Sequence, residues 1–181
     1  MVLRIFLAAV LSAQVALADQ NHPDLTRLFD QLGEAEGILE SRRIEAEIWQ
    51  RWLLPPQDSP HQELMDQVQQ AIATRQIGAG LAKADDLLEF HPEFAEAWNK
   101  RATLYFMAGQ LDQSVSDIIQ TLTLEPRHFG ALSGLLQILE ARGDYARAIK
   151  VVAQLRQIAP AGQDFDTIER RLRDRLNEKA T

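Results

Sequence analysis

The side chains best suited to chemistry in this 181-residue chain are four histidines, His22, His61, His91 and His128. A helical metal site wants two such ligands at i and i+4 with a further donor nearby. No two of the four stand four apart, and there is no cysteine to complete a thiolate set. They read as surface or capping residues, three of them lying beside proline or at the edge of a repeating unit. Gly78-Ala79-Gly80 is a short glycine cluster, but it lacks the following Gly-Lys and the preceding strand of a phosphate-binding loop. Gly130, Ser133 and Gly134 fail the spacing of a Gly-x-Ser-x-Gly elbow. Asp85 and Asp86 are adjacent, so on a helix they point in different directions and make no acid–base pair. The residues therefore imply no enzyme, no metal and no cofactor.

With no reacting centre to position, the elements themselves carry the information. Pro92, Pro126 and Pro160 stand 34 residues apart. At the same step Trp98 aligns with Leu132, Tyr105 with Leu139, Gly109 with Gly143, Ser114 with Ala148 and Ile118 with Val152. A fixed period of this size means stacked copies of one supersecondary unit, which present an extended surface. The apolar spacing predicts three helix pairs, at about 60–74 with 79–91, 95–108 with 112–125, and 129–142 with 145–159. Each pair ends at or just before a proline, which lacks the amide hydrogen a helix needs. Trp98 and Tyr105 lie two turns apart and are expected to face the second helix of their own pair. Ser114 and Ala148 are small where two helices should cross. Gly109 and Gly143 free the backbone at the turns, and the residues between 76 and 78 are the expected turn of the first pair.

Two segments lie outside this period. Residues 19–54 read as a helical hairpin: Leu25, Leu28, Phe29 and Leu32 form one stripe, and Ile44, Ile48 and Trp52 another with Trp49 beside it. Gly33 and Gly37 bracket the break, and Pro55-Pro56 ends the second helix ahead of a short linker to Pro60. Trp49 and Trp52 could serve a partner as a hot spot, but anchoring the helix to its own core is the favoured reading. Residues 163–181 place Phe165, Ile168, Leu172 and Leu176 on one face of a helix whose other faces are charged, as a terminal cap requires. Hairpin and last helix are expected to close the two ends of the stack.

The first 18 residues read as a cleaved signal peptide. Arg4 precedes the apolar run Ile5–Leu11, and Ala16-Leu17-Ala18 offers small residues for a peptidase. The run is too short to span a membrane. These features predict an exported, periplasmic protein with no stable membrane insertion. Residues 19–96 carry 16 acidic and 6 basic side chains, and residues 97–181 carry 10 and 12. That balance disfavours nucleic acid as a partner, and the uneven spread is either a solvated surface or a dipolar rod that orients a charged partner.

The repeating residues resemble the tetratricopeptide repeats, whose unit carries Trp, Leu-Gly, Tyr, Ala, Phe and Pro at set steps. Residues 95–128 match best, through Trp98, Tyr105, Gly109, Leu111, Leu122 and Pro126, with Arg101-Ala102, Ser114 and Ile118 departing from the pattern. Residues 129–162 keep Gly143-Asp144-Tyr145, Ala148 and Pro160. Residues 61–94 are degenerate, with Leu64, Ala71 and Gly80 at the signature places. The resemblance implies an all-α solenoid of three repeats whose first helices line a concave groove for a protein or peptide partner. By register that groove comprises Met65, Gln69 and Ile72, then Asn99, Thr103 and Phe106, then Ser133, Gln137 and Glu140. No Lys or Arg stands among them, so the carboxylate clamp of some members is not expected. Self-assembly into a homo-oligomer and service as an accessory subunit of an envelope enzyme are the alternatives.

Overall fold

The computed structural model describes residue 20 and residues 22–54 and 61–180. The proposed signal peptide and the linker to Pro60 lie outside the described residues. Among those described the regular structure is entirely helical: α1 (Asp24–Glu34), α2 (Ile38–Trp52), α3 (Gln62–Ala73), α4 (Ile77–Phe90), α5 (Ala95–Met107), α6 (Leu111–Leu124), α7 (Phe129–Ala141), α8 (Tyr145–Ile158) and α9 (Phe165–Ala180). The fold is the all-α helical-repeat solenoid that the 34-residue step implies.

Each pair turns in the same way. The first helix ends on a left-handed residue, Arg75 (φ 57), Gly109 (φ 74) or Gly143 (φ 66), again 34 apart. The amide of that residue donates to a carbonyl three back, and the next amide donates to one five back. Gly109 N reaches Phe106 O at 3.0 Å and Gln110 N reaches Tyr105 O at 2.9 Å, with the matching bonds at Arg75 and Gly143. This double bond satisfies the orphan carbonyls of the helix end. The turn of the first pair is thus set by Arg75, just ahead of the stretch the sequence suggested. Between pairs, a tight turn runs through each proline, with Phe94 N on His91 O, His128 N on Glu125 O and Gly162 N on Ala159 O at 3.0–3.1 Å.

Small residues sit at the predicted crossings. Gly80, Ser114 and Ala148 are all buried, and a Cβ on Gly80 would stand 2.8 Å from Leu104 Cδ2. The Ser114 hydroxyl donates to Ala102 O at 2.8 Å, linking α6 to α5. The tryptophan contradicts its expected role. Trp98 is only half-buried and packs on Met65, Leu87, Leu88 and Phe94, residues of the preceding pair and its closing turn. Its indole N–H donates to Pro92 O at 2.8 Å, so it staples two units together. Arg101, where the family pattern has leucine, packs against the ring. Its guanidinium lies 4.7 Å over the Trp98 ring and 5.8 Å over Tyr105. It also donates to both Asp117 oxygens, at 2.7 and 2.9 Å, and to Asp85 at 2.6 Å.

The hairpin also departs from expectation. It does not cap the first pair but folds back onto the third. Leu25, Leu28, Phe29, Leu32, Ile44, Ile48 and Trp52 join Phe129, Leu132, Leu136, Val152 and Leu155 in one buried cluster that continues into Phe165 and Leu172 of α9. The largest core is therefore shared by the hairpin, the third pair and the last helix. The first two pairs rest on smaller clusters, including one around Met65 and Phe94 and one around Val68, Ala84 and Leu104. The single seam expected through three pairs is divided.

Candidate functional site

The concave side of the stack is built from α5 and α7, the first helices of the second and third pairs. A cavity of about 290 Å³ opens between them and reaches down to α6. Asn99, Thr103, Phe106, Ser133 and Gln137 line it, as the register predicted, over a floor of Ala102, Ile118 and Ile138. Ser133 also borders a second cavity of about 420 Å³, walled by Ile38, Arg42 and Glu45 of α2 and by Phe165 at the start of α9. The hairpin thus forms one bank of the concave face.

The remaining predicted residues are elsewhere. Met65 is fully buried in the first pair, so it is a core residue and not an apolar anchor for a partner. Ile72 packs on Val68, Ala84 and Leu104. Gln69 is half-buried and outside the cavity. Glu140 accepts from the Arg171 guanidinium at 2.9 and 3.0 Å, which ties α7 to α9. Of nine register positions, the five on α5 and the first three turns of α7 come together.

Beneath the cavity lies a buried polar cluster that the sequence reading missed. His128 is completely buried, and its Nδ1 accepts the Ala131 amide at 3.1 Å, capping α7. That bond leaves Nε2 to donate to Glu96 Oε2, 2.9 Å away. Glu96 also accepts from Asn99 Nδ2 at 2.9 Å, and Lys100 Nζ stands 2.9 Å from its other oxygen as an ion pair. Burial alone would push the Glu96 carboxyl up, but Lys100 and His128 outweigh it and hold it below the usual carboxylate range. The hairpin closes over this cluster. The Trp52 ring stacks on His128 with centroids 4.1 Å apart, Trp49 meets His128 edge-on at 5.5 Å, and Lys100 Nζ lies 5.2 Å from the Trp49 ring. Gly130 admits this approach, because a Cβ there would fall 2.5 Å from Trp49 Cη2. A signal existed: His128 stands one 34-residue step after Phe94, which is itself fully buried.

Among the described residues no group of three or more His, Asp or Glu is placed to hold a metal, and no helix is long and apolar enough to cross a membrane. What the arrangement offers is a shaped, uncharged cleft on a rigid helical frame.

Stacked helix pairs with a shared left-handed turn and a cleft on their inner face define a helical-repeat protein. No family model matches the chain. It is 36% identical over 140 residues to a TPR repeat-containing protein of Rhizobium etli, an alignment covering 76% of this chain and 67% of the relative. The chain belongs to the tetratricopeptide repeat proteins.

Proposed function

We propose that the protein is a non-catalytic scaffold that holds a segment of a protein partner in the cleft between α5 and α7. The observation that carries this reading is the convergence of five register-predicted residues on one open cavity, with the surrounding frame spent on structure. Stacks of this kind use their concave surface for binding, and Phe106 at the rim is a large aromatic that remains 38% exposed, the side-chain type enriched in interface cores. Asn99 is unsuited to a clean test because it also supports buried Glu96. Phe106→Ala combined with Gln137→Ala changes two exposed positions. The pair is expected to reduce partner capture at least tenfold with unchanged helicity by circular dichroism; undiminished capture would refute the assignment.

The same reading places the protein in the periplasm, on the strength of Arg4, the run Ile5–Leu11 and Ala16-Leu17-Ala18. Amino-terminal sequencing of the protein from the envelope fraction is expected to begin at Asp19. A start at Met1 in the cytoplasmic fraction would reject export.

A further inference from the structure

The cleft between α5 and α7 differs from the surface around it in one respect: none of its lining residues is charged, in a chain that is 25% charged. The ionic groups on α5, α6 and α7 themselves are already committed, and Arg42 and Glu45 stand in the adjoining cavity beyond Ser133. Lys100 is paired with Glu96, Arg101 with Asp117 and Asp85, and Glu140 with Arg171. The hydroxyl donors are committed as well. Thr103 donates to Asn99 O at 3.0 Å, Ser133 to Phe129 O at 2.8 Å and Ser114 to Ala102 O at 2.8 Å. Each turns its proton onto helical backbone, so the polar donors left to line the cleft are the neutral amides of Asn99 and Gln137. A buried ligand charge would find no counter-ion there, and an unpaired buried charge is costly.

Size narrows the occupant further. An enclosed apolar cavity of about 150 Å³ holds a benzene ring, and this one is about 290 Å³ over Ala102, Ile118 and Ile138. Gly134 leaves that space open, since a Cβ there would be 3.6 Å from Ile118 Cδ1. At the rim, Gln137 is exposed and lines the cleft.

We propose that this cleft is an anchor pocket for one bulky, uncharged apolar side chain, aromatic or leucine-like, of an internal peptide segment, with Gln137 bonding that residue's main chain. The assignment rests on the scaffold reading above and adds the class of residue that is recognised. It excludes a terminal carboxylate or an acidic or basic side chain as the buried determinant.

The test uses capped single residues on the whole protein. N-acetyl-tryptophanamide, N-acetyl-leucinamide, N-acetyl-lysinamide and N-acetyl-glutamate amide are titrated while the amide resonances of Thr103, Gly134 and Gln137 are followed by NMR. The tryptophan or leucine derivative is expected to shift these resonances, with the lysine and glutamate derivatives at least tenfold weaker. The Cβ of Gly134→Leu would meet Ile118 Cδ1 at an ordinary 3.6 Å, and the substitution, by taking up cleft volume, is expected to weaken binding tenfold or more while the rest of the spectrum is retained. Equal binding of a charged derivative, no shift with either apolar one, or full binding by Gly134→Leu would overturn the proposal. Apolar binding here together with undiminished partner capture by the Phe106→Ala, Gln137→Ala variant would instead sink the scaffold reading alone.

Discussion

Arg75 holds a left-handed backbone position (φ 57) that glycine fills in the two later repeats. A side chain there costs about 1–2 kcal/mol, while glycine loses about 0.5–1 kcal/mol more entropy on folding. Arg75→Gly is therefore expected to stabilise the protein by about 0.5–1 kcal/mol, seen as a higher urea midpoint. An unchanged or lower midpoint would contradict the strain assigned to this turn. Glu96 gives a pH prediction at the same scale. Its carboxyl is held below the ordinary value of 4.5 in the folded protein, so the unfolded chain binds the proton first. The stability it contributes is complete above the unfolded value and fades as pH falls through the folded one. Urea midpoints of the wild type should drop across that acidic window, and Glu96→Gln should flatten that part of the profile. A parallel slope in the variant would assign the acid sensitivity to other groups.

Among the elements, the hairpin governs stability more than its place outside the repeat suggests. Trp52 is 1% exposed and stacked on His128. Trp52→Ala is expected to cost about 3–5 kcal/mol as a core truncation. Trp98→Ala, though it removes the signature residue of the best repeat, should cost no more than about 2 kcal/mol because the ring is half-exposed. Denaturant unfolding of the two variants checks the order, and a larger loss at Trp98 would contradict the division of the core. The helices, their turns and the prolines between them were legible because each depends on neighbours within one 34-residue unit. The stripe of α1 and the Ile44–Ile48–Trp52 face of α2, though outside that unit, were legible from helical spacing within each helix. Where the hairpin docks was not, since an apolar stripe records that a face is covered and not what covers it. Trp98 misled because the aromatic spacing said nothing of Arg101, whose guanidinium lies over the ring while bound to Asp85 and Asp117. Within the site, five residues on α5 and α7 followed from the family resemblance and the register, while Glu140 of α7 is tied to Arg171 instead. The Glu96–His128 contact joins residues 32 apart and depends on the turn at Pro126, so no local pattern exposed it.

At the scale of the whole molecule, the fold-back of the hairpin changes what the charge distribution means. Residues 22–54 carry 7 acidic and 4 basic side chains, and they lie against the third pair beside the more basic half of the chain. A simple dipole along the rod, one reading of the sequence, is therefore not what the surface presents. The concave face is instead a neutral cleft between α5 and α7, continued past Ser133 into the cavity under α2. Its walls come from helices fixed by Arg101–Asp117, Glu140–Arg171 and the Trp52–His128 stack, so the cleft is preformed and a partner segment need do little ordering of the protein.

The most direct measurement places a photo-activated benzoyl-phenylalanine at position 106 on the cleft rim and, separately, at Ile119, an exposed position of α6 outside the cleft. Irradiation in the native cells followed by mass spectrometry should give a defined adduct from position 106 that disappears on adding Gly134→Leu, and none from position 119. Equal adducts from both positions, or a position-106 adduct that survives Gly134→Leu, would contradict the cleft as the seat of recognition.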